Sequence, residues 1–270
     1  MEGAGVKIVR TLGNGGLRMD PFLMLDELRM PANEATAGFP SHPHRGFETC
    51  SIVLTGEIEH EDSVGNRGVI GPGDVQWMTA GRGIVHSEMP KSRDGELHGF
   101  QLWVNLPAKD KMVKPWYQDV RASAFPTVGE AGAEVRVLAG EVDDAKGPIK
   151  LRNPGTLLHV QLQPGSSWRH ALPREWNGFV YVYEGSGLVG DERAKAQHAY
   201  LFAKDGSDVV FRADENHPLK FLLAFGKPIN EPIVQYGPFV MNTEAEIQQA
   251  FFDYRSGHFQ NPKDDVWAEA

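Results

Sequence analysis

The chain has 270 residues, 41% of them hydrophobic and 23% charged, with a formal net charge of -9. That composition excludes a disordered chain, and the charge gives no general electrostatic affinity for nucleic acid or an anionic membrane. A single cysteine, Cys50, excludes an intrachain disulfide and fits a reducing compartment; the opening MEGAGVKIVRTLG lacks the apolar run of a secretory signal, no stretch approaches the ~20 apolar residues of a membrane span, and no Lys/Arg run reads as a nuclear import signal.

Glycine and proline, 30 and 18 in number, punctuate short runs of alternating apolar residues. This is the texture of β-sandwiches and barrels. VKIVRTLG reads as a strand. In DPFLMLDELRM the apolar block Phe22–Leu25 is compatible with a strand or one helical turn. PANEATAGFPSHP is a loop that delivers the chain to His42 and His44. From Phe47 to Thr55 the period is two: Glu48, Cys50, Ile52 and Leu54 share one face, and counting parity back along the chain gives that face His42 and His44 as well. Cys50 is thereby an inward-facing small residue. EIEHEDSVGNRGVIGPGD reads as a hairpin turning near Gly65-Asn66, followed by a tight turn at Gly71-Pro72-Gly73. Val75 and Trp77 continue inward, TAGRG breaks the strand, and Ile84, His86 and Glu88 resume it. LHGFQLWVNLP is a further strand. KDKMVKPWYQDVRASAFP, polar and with two prolines, is the crossing segment between halves.

A second β-rich half begins near Glu134, with six strand candidates: EVRVLAG, TLLHVQLQPG, GFVYVYEGSGLVG, HAYLFAKDG, DVVFRAD and LKFLLAFG. Its cadence repeats that of the first half, which suggests an internal duplication. If Gly185 corresponds to Gly56, then His42, His44 and Glu48 map to Ala171, Pro173 and Asn177, so the second half lacks the histidine pattern. EPIVQYGPFVMN is an extended tail. TEAEIQQAFFDYRSG is an amphipathic helix with a Thr243/Glu246 capping box, an apolar stripe of Ile247, Ala250, Phe251 and Tyr254, and Gly257 at its end. It is expected to close a barrel end or pack on the other domain. The closing NPKDDVWAEA is expected to be loose.

Two side-chain pairs carry chemistry. His42 and His44 are two apart, and so are His86 and Glu88; on strands, each pair presents both members to one face. If the two segments meet in one sheet or barrel, three imidazoles and a carboxylate converge on one interior point. That set suits iron, zinc, copper or nickel. His60, His98, His159 and His170 read as ordinary polar residues. Arg82 is a partner for a nearby carboxylate, and Glu48 a partner for Arg45 or Arg82.

The combination HPHRGFET, GDVQWMTAGRGIVHSE, HGFQLWVNLP and EPIVQYGPFVMNT resembles the pirin family, over most of the chain. The resemblance implies an all-β fold of two tandem cupin-type β-barrels, a bicupin, with a C-terminal closing helix. Residues 1–125 would form the metal-binding barrel and 126–270 a metal-free barrel with the helix. It implies one Fe(II), or another divalent transition metal, held by His42, His44, His86 and Glu88. It further implies quercetin 2,3-dioxygenase activity on a flavonol with O2, or a role as a metal- or redox-sensing transcriptional coregulator that binds transcription factors or other signalling proteins. The expected location is cytoplasmic or nuclear, without secretion, membrane attachment or direct nucleic-acid binding. The wider cupin spacing, His-x-His-x3-Glu, nominates Glu48 as the carboxylate ligand; the pirin pattern nominates Glu88, with Glu48 in the surrounding shell. Either carboxylate would accept the flavonol 3-hydroxyl proton, and Ile52, Leu54 and Trp77 would surround the rings.

Overall fold

A computed structural model describes residues 6–13, 19–34, 38–91, 94–129 and 131–259. The closing stretch, expected to be loose, lies outside the described residues, as do positions 35–37 of the loop before the histidines. The first strands in chain order are β1 (Ile8–Leu12), β2 (Phe22–Pro31), β3 (Phe39–His44), β4 (Phe47–Thr55), β5 (Ile58–Asp62), β6 (Arg67–Ile70), β7 (Val75–Thr79), β8 (Ile84–Pro90), β9 (Glu96–Asn105) and β10 (Trp116–Val120). They form a six-stranded sheet, β1-β2-β9-β4-β7-β10, and a four-stranded sheet, β3-β8-β5-β6. The Phe22–Leu25 ambiguity resolves as strand. The segment read as an irregular crossing contains β10, which pairs at the sheet edge, where proline-flanked polar strands are tolerated.

The break between β3 and β4 decides which side chains face the histidines. Arg45 and Gly46 separate the strands, and the strands go to different sheets. Gly46 has φ +88°, and a Cβ there would run into the Val240 carbonyl, so only glycine fits. Parity therefore does not carry from His44 into β4. Ser51 of β4 reaches Glu88, and the Phe47 ring lies 5.1 Å from that of His44. The odd-numbered face, Phe47, Thr49, Ser51 and Val53, is the one turned to the histidines, contrary to the expectation from simple alternation. Both faces of β4 are buried from Phe47 to Val53, so burial alone did not distinguish them.

The chain then forms β11 (Thr127–Val128), β12 (Ala133–Ala139), β13 (Glu141–Val142), β14 (Ala145–Lys146), β15 (Gly155–Leu162), β16 (Ser167–Ala171), β17 (Asn177–Val189), β18 (Glu192–Lys195), β19 (His198–Leu201), β20 (Asp208–Ala213) and β21 (Leu219–Gly226). β12, β15, β21 and β17 pair in that order, and β20 and β16 follow. Their inward apolar positions, among them Val135, Val160, Val182, Phe211 and Phe221, pack into one core, as period-two patterning requires. A hairpin of β22 (Val234–Tyr236) and β23 (Phe239–Met241) precedes the helix α1 (Glu244–Arg255). The Thr243/Glu246 capping box is formed in both directions. Ile247 and Ala250 are buried with Phe239, Met241 and Phe259, while Tyr254 is 40% exposed.

The two compact units interleave. One comprises residues 1–8, 27–119 and 230–270; the other 9–26 and 120–229. Beside the halves expected on either side of residue 125, the break between these units falls at 119/120, Val9–Asp26 groups with the second unit, and the hairpin and helix group with the first. Strand cadence marks elements and carries no record of which unit a terminal segment joins.

Candidate metal centre

β3 and β8 are antiparallel neighbours, with His42 opposite His86. This register brings the two sequence-distant pairs together. One ring nitrogen from each of His42, His44 and His86 lies within 4.8 Å of the others. The ring centroids are 4.7 Å apart for His42–His44, 4.5 Å for His42–His86 and 5.0 Å for His44–His86. His44 and His86 are buried, and His42 is partly exposed. His42 Nδ1 donates to the Pro40 carbonyl at 2.7 Å, which leaves Nε2 as its free lone pair.

Burial pushes His44 and His86 well below the usual imidazole range, and the neighbouring imidazoles push the same way. Both are neutral at pH 7, the form that binds a metal. Both ring nitrogens of His86 are buried without a hydrogen bond to protein, and the buried His44 ring has only the Pro238 backbone as a polar neighbour. Buried imidazole nitrogens with so few partners are costly unless a cation takes some of them. The residues present therefore fit a divalent transition metal.

Glu88, next along β8, is buried but is not within the three-histidine group. Its carboxylate accepts from Ser51 Oγ at 2.9 Å and from Gln101 Nε2 at 2.7 Å. Trp103 Nε1 in turn donates to Gln101 Oε1 at 3.0 Å, and the Trp103 ring packs 5.2 Å from that of His44. Gln101 is thus clamped between the indole and the carboxylate. An apolar cleft lined by Leu28, Phe39, Ile58, Leu97 and Phe100 abuts Glu88. Its volume, about 20 Å³, suits one water.

Glu48 is also buried, and its carboxylate accepts from the Thr79 hydroxyl at 2.6 Å. It lies opposite Thr79 in the β4–β7 pairing, on the face of β4 that turns away from Ser51 and Glu88. The roles expected for it, ligand or proton acceptor at the metal, are not supported by this placement. Cys50 and Ile52 share that face with Glu48, and Trp77 pairs with Cys50, so the placement of Ile52 and Trp77 does not support the ring-lining role expected of them. Arg45 donates to Asp253 and to the Arg82 carbonyl, so it is not the partner of Glu48.

Sequence reasoning missed Ser51, Gln101, Trp103, His60 and Tyr117. A polar Gln101 amid the apolar run LHGFQLWVN was the available signal, because a buried amide needs a partner. His60 is buried, with its ring 5.2 Å from that of His86, and its expected role as an ordinary polar residue does not describe that position.

A family model described as Pirin matches residues 5–104, and one described as Pirin C-terminal cupin domain matches 157–260. A pirin-like protein of Solanum lycopersicum is 46% identical, over 95% of this chain and 88% of that protein. Pirin of Homo sapiens is 40% identical, over 94% of this chain and 88% of that protein. The crystal structure of a quercetin 2,3-dioxygenase from Acinetobacter baumannii superposes with a TM-score of 0.90 at 38% identity, covering 97% of this chain and 94% of that one.

Proposed function

The chain belongs to the pirin family and contains two cupin domains, and from that premise we propose that it is a metal-dependent quercetin 2,3-dioxygenase, an enzyme that opens the central ring of a flavonol with dioxygen. The observation that carries this is the cluster of His42, His44 and His86, with its buried, unpartnered nitrogens. The likeness to a solved quercetin 2,3-dioxygenase supports the substrate class. The alternative, a redox-sensing transcriptional coregulator, is not favoured: the solved structure reported above carries the name of an enzyme.

His42, His44, His86 and Glu88 would hold the metal, Fe(II) in this reading. When bound, it supplies Lewis acidity toward the 3-hydroxyl oxygen and a redox couple for reaction with dioxygen. The protein does the rest. His44 and His86 offer lone pairs because burial keeps them neutral. Ser51 and Gln101 fix the Glu88 carboxylate, which both adds negative charge to the ligand set and accepts the 3-hydroxyl proton. The cleft at Glu88 is too small for a three-ring flavonol, so the substrate approaches past His42, the partly exposed member of the cluster. The surrounding apolar side chains exclude bulk water from Glu88. No helix among the described residues is long and apolar enough to cross a membrane, and the one cysteine, free and buried, suits a reducing compartment such as cytoplasm or nucleus.

Oxygen uptake with quercetin, by protein stripped of metal and reloaded with ferrous ion, tests the proposal. Uptake that depends on the added iron is expected. A fully metallated protein that turns over no flavonol overturns it.

A further inference from the structure

His60 lies directly opposite Glu88 in the β5–β8 pairing. Its ring stands 5.2 Å from that of His86 and 4.8 Å from that of Tyr117 on β10. Among the described residues, His60 Nε2 and both His86 nitrogens are buried without a protein partner at hydrogen-bond geometry, and the buried Tyr117 hydroxyl is directed toward the Asp62 carboxylate. A buried group left unsatisfied is destabilising, and here two neighbouring imidazoles share the deficit.

The nearby carboxylates are already engaged. Asp62 accepts from the backbone of Val64 and Asn66 with one oxygen and from the Asn66 amide with the other. Asp119 accepts from Gln76 at 2.9 Å. Burial first, and then the charge of Asp62 and a hydrogen bond to it, drives the Tyr117 phenol upward, so it keeps its proton, donates it to Asp62 and leaves its oxygen as an acceptor. On the metal-centre reading above, one nitrogen of His86 faces the metal and the other carries a proton that needs an acceptor. His42 has such an acceptor in the Pro40 carbonyl; His86 has none from the protein.

We propose that His60 and Tyr117 hold one water molecule against the outer nitrogen of His86, and that this water fixes the His86 ring for metal binding. The donors and acceptors balance. The water accepts from the His86 N–H and donates to the Tyr117 oxygen, whose own proton goes to Asp62, and to Nε2 of a His60 protonated on Nδ1. Three hydrogen bonds is the usual number for a buried water. His60 and Tyr117 are positioning residues in this arrangement; neither touches the metal.

The test is anaerobic titration of the full-length protein with ferrous ion against a chromophoric chelator, paired with the visible spectrum of the cobalt(II)-loaded protein. Tyr117→Phe keeps the ring and removes only the hydroxyl. It is expected to weaken ferrous binding about tenfold, and His60→Leu by about 10- to 100-fold, the range for loss of an outer partner of a ligating histidine. Both shift the cobalt spectrum. His60→Gln restores an acceptor and recovers most of the affinity, which a mere packing role does not predict. Wild-type affinity and spectrum in Tyr117→Phe overturn the proposal even if His60→Leu fails to fold, and so does a His60→Gln variant no better than His60→Leu. Wild-type protein that takes up neither ion defeats the metal centre itself, a failure told apart because binding is then missing from every variant alike.

Discussion

Two buried glutamates of the first unit, Glu48 and Glu88, have opposite surroundings. Glu88 accepts from Ser51 and Gln101 on the histidine side of β4, and Glu48 accepts from Thr79 on the other. The proposed ligand set therefore predicts a contrast. Glu88→Gln removes the anionic donor and should lower ferrous affinity by more than the ~10–100-fold of an outer-shell change. Glu48→Gln should leave that affinity within a few-fold of wild type, because its carboxylate faces elsewhere. Chelator competition on both variants decides it, and equal losses would mean that Glu48 reaches the metal. Cys50 gives a second prediction at this scale. Burial, with the nearby Glu48 charge behind it, raises its thiol far above the ordinary range. Native protein at pH 8 should thus resist iodoacetamide and become singly alkylated in urea. Intact-mass measurement reads both states.

At the scale of elements, the joint between β3 and β4 is held by two buried cations. Arg45 donates to Asp253 of α1 at 2.7 Å and lies 4.6 Å over the Phe259 ring. Lys111 Nζ donates to the Gly46 carbonyl at 2.8 Å, to Asn105 at 2.7 Å and to the Val240 carbonyl at 3.0 Å. Burial lowers the Lys111 pKa from 10.5 to about 8. The unfolded chain thus binds this proton more tightly than the folded one, and between those values unfolding takes up a proton. Stability from this group must therefore rise with pH across the window of about 8 to 10.5, by up to about 3 kcal/mol. Urea unfolding of wild type and Lys111→Met across that range isolates the effect: the wild type should gain stability relative to the variant as pH rises, and a constant difference would contradict it. The same joint explains what the sequence made legible. The strands themselves, the hairpin turning at Gly65-Asn66 and the α1 capping box follow from local rules of period, turn chemistry and capping. The facing of β4 does not, because Arg45-Gly46 resets the alternation and a buried strand hides which of its two faces meets the site. His42, His44 and His86 were legible because each pair keeps its spacing within one strand. Gln101 and Tyr117 depend on which strands become neighbours, and no local pattern records that.

At the scale of the molecule, the first compact unit is completed by the last part of the chain. The Val240 carbonyl both accepts from Lys111 and excludes any side chain at Gly46. Phe239 pairs with Arg45 in an isolated bridge, and Phe239, Met241, Ile247, Ala250 and Phe259 form a buried apolar cluster. A fragment of residues 1–125 lacks all of these. It leaves the Arg45 guanidinium without Asp253, and removing one partner of a buried ion pair alone costs about 3–5 kcal/mol, a large part of the ~5–15 kcal/mol that holds a domain together. It also leaves two of the three acceptors at Lys111 in place and removes the third. The metal-binding half cut at residue 125 should accordingly fail to fold cooperatively and should not bind ferrous ion, although it carries His42, His44, His86 and Glu88. Far-UV circular dichroism during thermal unfolding and a chelator titration of the fragment measure this. A cooperative melt with stoichiometric iron would show that the carboxy-terminal hairpin and helix are dispensable to the unit they are packed in.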